Sequence, residues 1–173
     1  MKKSTIKLPD FFDRYINLIE DIELLAALNL SYSSLSSLNL ELYKKLGDKT
    51  YAPGKWTIKD IFQHIIDNER IMCYRALRFA RKDKTILPGY DENIFAFNAL
   101  ANRRNITDLL EELKIVKLGS IHLFKSFTEP MLKQEGICFN KTITVGALGF
   151  VIAGHQIHHL NIIKEKYLPL LEV

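Results

Sequence analysis

The chain is poor in the features that would staple a protein together or anchor it in a membrane. Its only two cysteines, Cys73 and Cys138, lie far apart and lack CxxC spacing. Neither a disulfide framework nor a cysteine-ligated zinc site is supported. The longest apolar stretches fall short of the roughly 18 residues that a membrane span requires. The opening MKKSTIKLPDFFDRY has two adjacent lysines but no apolar segment behind them, so no secretory leader is expected and the cytoplasm is the default compartment. No HExxH is present, which removes the general base of a zinc protease. No stretch shows a convincing strand alternation.

What is present suits one soluble domain over residues 1–173: 47% of the residues are apolar, enough for a core without covalent support. The formal charge of +4 invites a nucleic-acid reading. The basic residues crowd most at Arg75, Arg78, Arg81, Lys82 and Lys84, where they close an expected helix and complement its carbonyl end. No aromatic residues interleave with them in a nucleic-acid motif, so a solvated helix end is expected and nucleic acid is not an expected partner.

The periodicity is helical throughout. A short helix is expected over Asp10–Ile19, after Pro9, and a long one over Ile22–Leu46 with Gly47 as its stop. In the long one, Leu24, Leu28, Leu35, Leu38 and Leu42 form an apolar stripe. The segment YAPGKW reads as a turn. Thr57 offers an N-cap and Asp60 the acidic member of a capping box, opening a helix that runs to about Arg81. A loop through Leu87, Pro88 and Gly89 leads to a third long helix over Asn105–Phe127. Residues 128–143 read as loop, and the last helix is expected over Thr144–Tyr167. Four long helices without strands predict an all-α, up-down four-helix bundle with a short extra N-terminal helix.

Histidines interrupt the apolar line of the last helix. At about 100° per residue, Leu148, Ile152, His155, His159 and Ile162 share a stripe roughly 80° wide. Residues four apart meet on one helix face, so His155 and His159 can chelate one cation. His64 can supply a third nitrogen from the second long helix, and three neutral imidazoles leave a divalent metal an open position. His158 lies about 60° to the side of His155 and is a doubtful member. The competing reading makes each histidine a hydrogen-bonded structural residue. Beside His64 on the flank of its helix stand Asn68, Ile71 and Arg75, while Glu69 falls inside the apolar sector. A carboxylate there is either paired, with Arg75 or another helix, or part of a site. Asp67 and Glu165 are candidates to accept the second N–H of a ligating histidine. His122 has no partner at ligand spacing.

The stretch YAPGKWTIKDIFQHIIDNERIMCYRALRFAR, with LPGYDEN and AGHQIHHLNIIKEKY after it, resembles the DinB-like family, which includes the YfiT-like metal-dependent hydrolases. The likeness spans nearly the whole chain, from RYINLIED onward. It implies a four-helix bundle and a metal triad of one histidine from the second helix and an HxxxH pair from the fourth, hence His64, His155 and His159.

Activity varies within that family, whose members include bacillithiol- and mycothiol-dependent transferases, a maleylpyruvate isomerase and proteins of unknown role. The resemblance implies one divalent transition metal, with zinc, nickel, iron and manganese all accepted by imidazole. It also implies a small-molecule substrate, and makes a homodimer the assembly to look for. Two chemistries suit such a site. One is S-transfer from a low-molecular-weight thiol in detoxification or stress response; the other is hydrolysis of a small ester or amide. Asn68, Glu69 and Arg75 are the residues expected to orient substrate or carry protons. A metal-binding stress protein without turnover is the non-enzymatic alternative.

Overall fold

The computed structural model describes residues 1–171, and its main body is a bundle of four helices. They are α2 (Leu24–Ser34), α4 (Ile58–Ala80), α6 (Ile106–Lys125) and α8 (Val145–Ile162). Each of α4 and α2 packs against both α6 and α8, so α2 and α4 occupy opposite corners. The pairing of side chains gives the directions. His64 early in α4 meets His155 late in α8, whereas Glu69 of α4 meets Ser120 of α6 at matching depths. The two middle helices therefore run parallel to each other and antiparallel to α8. Ser31 in α2 meets Gln156 in α8, and Gly149 faces Leu24, which sets α2 parallel to α8.

Parallel neighbours need long connections. The one between α4 and α6 contains α5 (Glu92–Ala99), a helix that falls in the expected loop. Asp91 starts it by accepting from the backbone of Asn93 and Ile94. Between α6 and α8 lie α7 (Glu129–Leu132) and a hairpin of β1 (Glu135–Cys138) and β2 (Lys141–Thr144), in register Glu135 to Thr144. The strands correct the all-loop reading of 128–143. Their two turn residues, Phe139 and Asn140, both take positive φ. Neither is the glycine that signals such a turn in sequence.

The long helix expected over 22–46 is in fact broken. It gives way to a 3₁₀ turn at Leu35–Ser37, and α3 (Leu40–Leu46) starts afresh with Asn39 as its cap, accepting from the Leu42 N–H. Four serines and an asparagine in SSLSSLN offer the backbone local partners that compete with a continuing helix. At the chain's start, α1 (Asp13–Ile16) is a single turn, entered through Phe11 at positive φ. By contrast α4 begins as expected, with Thr57 and Asp60 forming a complete capping box. The last helix starts from its Thr144 cap and ends in a π turn at Ile163–Tyr167. Among the described residues no helix is long and apolar enough to cross a membrane.

The core is in two pieces. Leu24, Leu28, Phe79, Phe124 and Phe150 belong to one, and Leu35, Phe62, Ile106, Leu113 and Tyr167 to the other. Between them each bundle helix contributes buried polar residues: Ser31 from α2, His64, Asn68 and Glu69 from α4, Lys117 and Ser120 from α6, and His155, Gln156 and His159 from α8. The site lies in this layer.

Gly154 fixes how α1 closes over it, because a Cβ there would overlap the backbone carbonyl of Tyr15. The Gly154→Ala variant is expected to lose about 1–3 kcal/mol of stability by overpacking, read as the free energy of unfolding in urea. Wild-type stability in that variant would mean that the close approach is not enforced.

Candidate metal centre

His64, His155 and His159 converge by their Nε2 atoms. The Nε2 of His155 lies 3.0 Å from that of His64 and 3.1 Å from that of His159. Nitrogens bound to one tetrahedral zinc at about 2.0–2.1 Å would stand roughly 3.3 Å apart, so His155 is nearly at ligand spacing from both partners, and all three ligand atoms lie within 4.8 Å of one another. All three histidines are buried, and their ligand atoms form the one cluster of potential metal donors among the described residues.

Hydrogen bonding alone does not account for this arrangement. A ring nitrogen carries either one proton or one lone pair in the ring plane. The His155 Nε2 cannot make good bonds to two neighbours with that single direction. A cation at the centre takes a lone pair from all three.

Burial also keeps the rings neutral, as ligands must be. It lowers the His64 pKa to about 4, helped by the charge of His158. It holds His155 and His159 well below the usual histidine range, with the neighbouring imidazoles adding to the effect. The residues present thus fit a divalent metal ion.

Aromatic rings frame the triad. The Trp56 ring centre is 4.8 Å from that of His64, and Tyr15 packs edge-on to His155 at 5.1 Å. These rings line a pocket of about 240 Å³, together with Arg14, Asn68, Arg75 and Tyr90. All three histidines border it. His158 borders it too but is only half-buried, and its Nε2 and Nδ1 are outside the donor cluster.

Of the residues expected to assist, Asn68 and Arg75 line the pocket, and Glu69 does not. Glu69 sits about 120° round α4 from the stripe of His64, Asn68 and Arg75, so it faces α6. There its carboxylate lies 2.7 Å from Lys117 Nζ and accepts from Ser120 Oγ at 2.5 Å. The internal ion pair is therefore the correct reading, and a site role for Glu69 is withdrawn. Asp67 accepts from Gln63, and neither it nor Glu165 bonds a histidine among the described residues. Arg75 is not a solvated member of the basic run but is 3% exposed.

Sequence reasoning missed the aromatic wall. Trp56 and Tyr90 lie in YAPGKW and LPGYDEN without a periodic pattern to assign them a role. Tyr15 reaches the site only through the packing of α1.

The fold is a four-helix bundle whose pocket is bordered by a three-histidine cluster of potential metal donors, and the comparisons agree with the fold. The model of the DinB superfamily matches residues 27–163, and the chain belongs to that superfamily. A relative from Oceanobacillus iheyensis, named "Putative metal-dependent hydrolase OB0413", is 32% identical over 122 residues, which covers 67% of each chain. The solved structure of YfiT from Bacillus subtilis, described as a probable metal-dependent hydrolase with an unusual four-helix bundle topology, aligns with a TM-score of 0.67 at 16% identity. That alignment covers 92% of this chain and 87% of the other.

Two predictions follow from the buried layer. In the unfolded chain each histidine takes its proton near 6.5; in the folded, metal-free protein His64 does so near 4, and burial holds His155 and His159 well below 6.5. Between those values the unfolded state binds more protons, so acid favours it. Stability should be full above pH 6.5 and fall toward pH 4, by up to about 1.4 kcal/mol per pH unit for each ring. Urea unfolding across that range measures it, and a flat profile would contradict neutral buried rings. Separately, Lys117→Met should cost about 3–5 kcal/mol by stranding Glu69, and adding Glu69→Leu should restore much of it.

Proposed function

We propose that this chain is a metal-dependent enzyme in which His64, His155 and His159 hold one divalent transition metal ion. Its reaction is the transfer of a low-molecular-weight thiol to a small electrophile, serving detoxification or stress response. The observation that carries this is the convergence of three neutral imidazole nitrogens on the wall of an otherwise open pocket. Such an ion, when bound, supplies Lewis-acid activation, favouring the anionic form of a coordinating thiol or water.

The residues around the triad supply binding and shelter rather than a nucleophile. Among the described residues no serine, threonine or cysteine lines the pocket. Cys73 bonds Ser120 on the α6 side of α4, and burial pushes its thiol up to about 11, so it is inert at neutral pH. The attacking group must therefore arrive from solution. Trp56 and Tyr15 screen the imidazoles from bulk water.

A thiol reaching this centre gives its proton to solvent. Its sulfur then forms the new bond to carbon while the leaving group departs with its electron pair. Hydrolysis of an ester or amide asks for more, since the leaving group needs a proton. The only carboxylate on the wall, Glu92, is exposed and bonds none of the histidines among the described residues. The descriptions of the relatives as metal-dependent hydrolases are what support that second reading. With two free cysteines we assign the chemistry to the cytoplasm. A homodimer belongs to the same proposal, to be read by sedimentation velocity.

Elemental analysis of protein purified without a histidine tag is expected to find about one transition metal ion per chain. His155→Ala and His159→Ala should each abolish it; unchanged binding in both would sink the site. Loaded protein should then accelerate thioether formation between a low-mass thiol and 1-chloro-2,4-dinitrobenzene. Cleavage of p-nitrophenyl acetate without any thiol, and no thioether formation, would select the hydrolase instead.

A further inference from the structure

The charge balance of the pocket is unusual on one wall. Arg75 is 3% exposed, yet its guanidinium meets no carboxylate within ion-pair distance among the described residues. Its hydrogen bonds go to the Pro88 carbonyl, at 2.8 Å, and to the soft sulfur of Met72, at 3.6 Å. A guanidinium has five N–H donors, so most of this buried cation's capacity is unused. Buried charges are ordinarily paired, because removing one from water is costly.

The second observation is the neighbouring amide. Asn68, one turn from His64 on the same stripe, donates to the Tyr90 hydroxyl at 2.7 Å, while its own Oδ1 is buried with no hydrogen-bond partner among the described residues. Both side chains line the pocket that the three histidines border. The rest of the wall is largely apolar or aromatic, with Phe11, Phe12, Met72, Phe139 and Val151.

We propose that Arg75 is the anion subsite of this pocket, binding the carboxylate of a substrate whose body is apolar or aromatic and whose reacting atom faces the histidines. This rests on the pocket serving as the active site and adds the substrate class. The planar fork of a guanidinium matches a carboxylate by two parallel bonds. One buried guanidinium balances one negative charge, which favours a monoanion over a phosphate dianion. The other arginine on the wall, Arg14, has its guanidinium 4.0 Å from the Phe11 ring centre and is exposed at the mouth. Unpaired Asn68 Oδ1 suits an O–H or N–H donor beside the carboxylate.

The chain's single tryptophan, Trp56, lies on this wall and reports occupancy by its fluorescence. The experiment titrates 3-phenylpropionate, its neutral amide and inorganic phosphate into protein stripped of metal, and repeats the set after zinc loading. Stripped wild-type protein should bind the acid at least about tenfold more tightly than the amide. Arg75→Met should erase that preference, and Arg75→Lys should recover part of it.

A role limited to holding the Pro88 loop would weaken acid and amide alike and leave their ratio unchanged, which overturns the proposal. So does binding of the acid only after zinc loading, because the carboxylate then sits on the metal. Equal binding of acid and amide by the wild type, or tighter binding of phosphate, also overturns it without recourse to any variant. Zinc stoichiometry measured alongside separates the two readings. Zinc bound without acid preference removes the subsite alone, whereas acid preference without zinc binding removes the metal centre alone.

Discussion

A buried polar layer that crosses all four bundle helices is the constraint around which the structure is organised. Apolar side chains would pack the middle of the bundle at less cost, yet each helix interrupts its apolar face at the same height. The layer has three separate parts. Gln156 donates to the Ser31 carbonyl and to Ser34 between α8 and α2. Glu69 meets Lys117 and Ser120 between α4 and α6. The three histidines meet between α4 and α8. All three parts keep buried polar atoms without a hydrogen-bond partner among the described residues, Ser31 Oγ, Gln156 Oε1 and His159 Nδ1 among them, but the histidine part is the one that opens to a pocket. That asymmetry separates polar residues that specify the packing from polar residues that wait for something to bind.

The parts also act on one another. Lys117 is fully buried and close enough to His155 to oppose its protonation. The carboxylate of Glu69 holds that lysine on the α6 side, so the cation contributes at a distance without competing for the imidazole lone pairs. Exchanging the two faces of α4 would put a carboxylate among the histidines and raise their affinity for protons. Placing Glu69 about 140° from His64 keeps the triad neutral.

Much of this was legible in the sequence, for reasons that differ element by element. The last helix and its histidine pair are strongly periodic over many residues, and Thr57 and Asp60 mark the start of α4 by local chemistry alone. Those are signals a single chain can carry. The direction of Glu69 could be read as inward, but its partner could not, because Lys117 lies on another helix and nothing in its neighbourhood marks it as buried. Arg75 carries two readings in sequence, a member of a solvated basic run and a residue beside His64 that orients substrate; the run looks solvated because the loop whose Pro88 carbonyl Arg75 bonds, Leu87–Gly89, carries no periodicity. The break of the first long helix was written in SSLSSLN, where a leucine stripe at helical spacing outweighed side chains that compete for the backbone. The hairpin has strands of four residues and a turn without glycine, too little for pattern to find.

The start of α4 shows how local chemistry reaches the site. The capping box fixes which residue begins the helix, and so fixes at what height and on which face His64 appears, seven residues after Thr57. It also fixes Trp56, the residue just before the cap, whose ring stands against His64 while its carbonyl accepts from Tyr167 Oη at 2.5 Å. That bond ties the start of α4 to the chain just beyond His155 and His159 of α8. Sliding α4 by one residue would turn His64 by about 100°, away from His155, and would pull the tryptophan from the pocket wall. The cap is thus a register device for the histidine triad, and the wall residue next to it is positioned by the same few bonds.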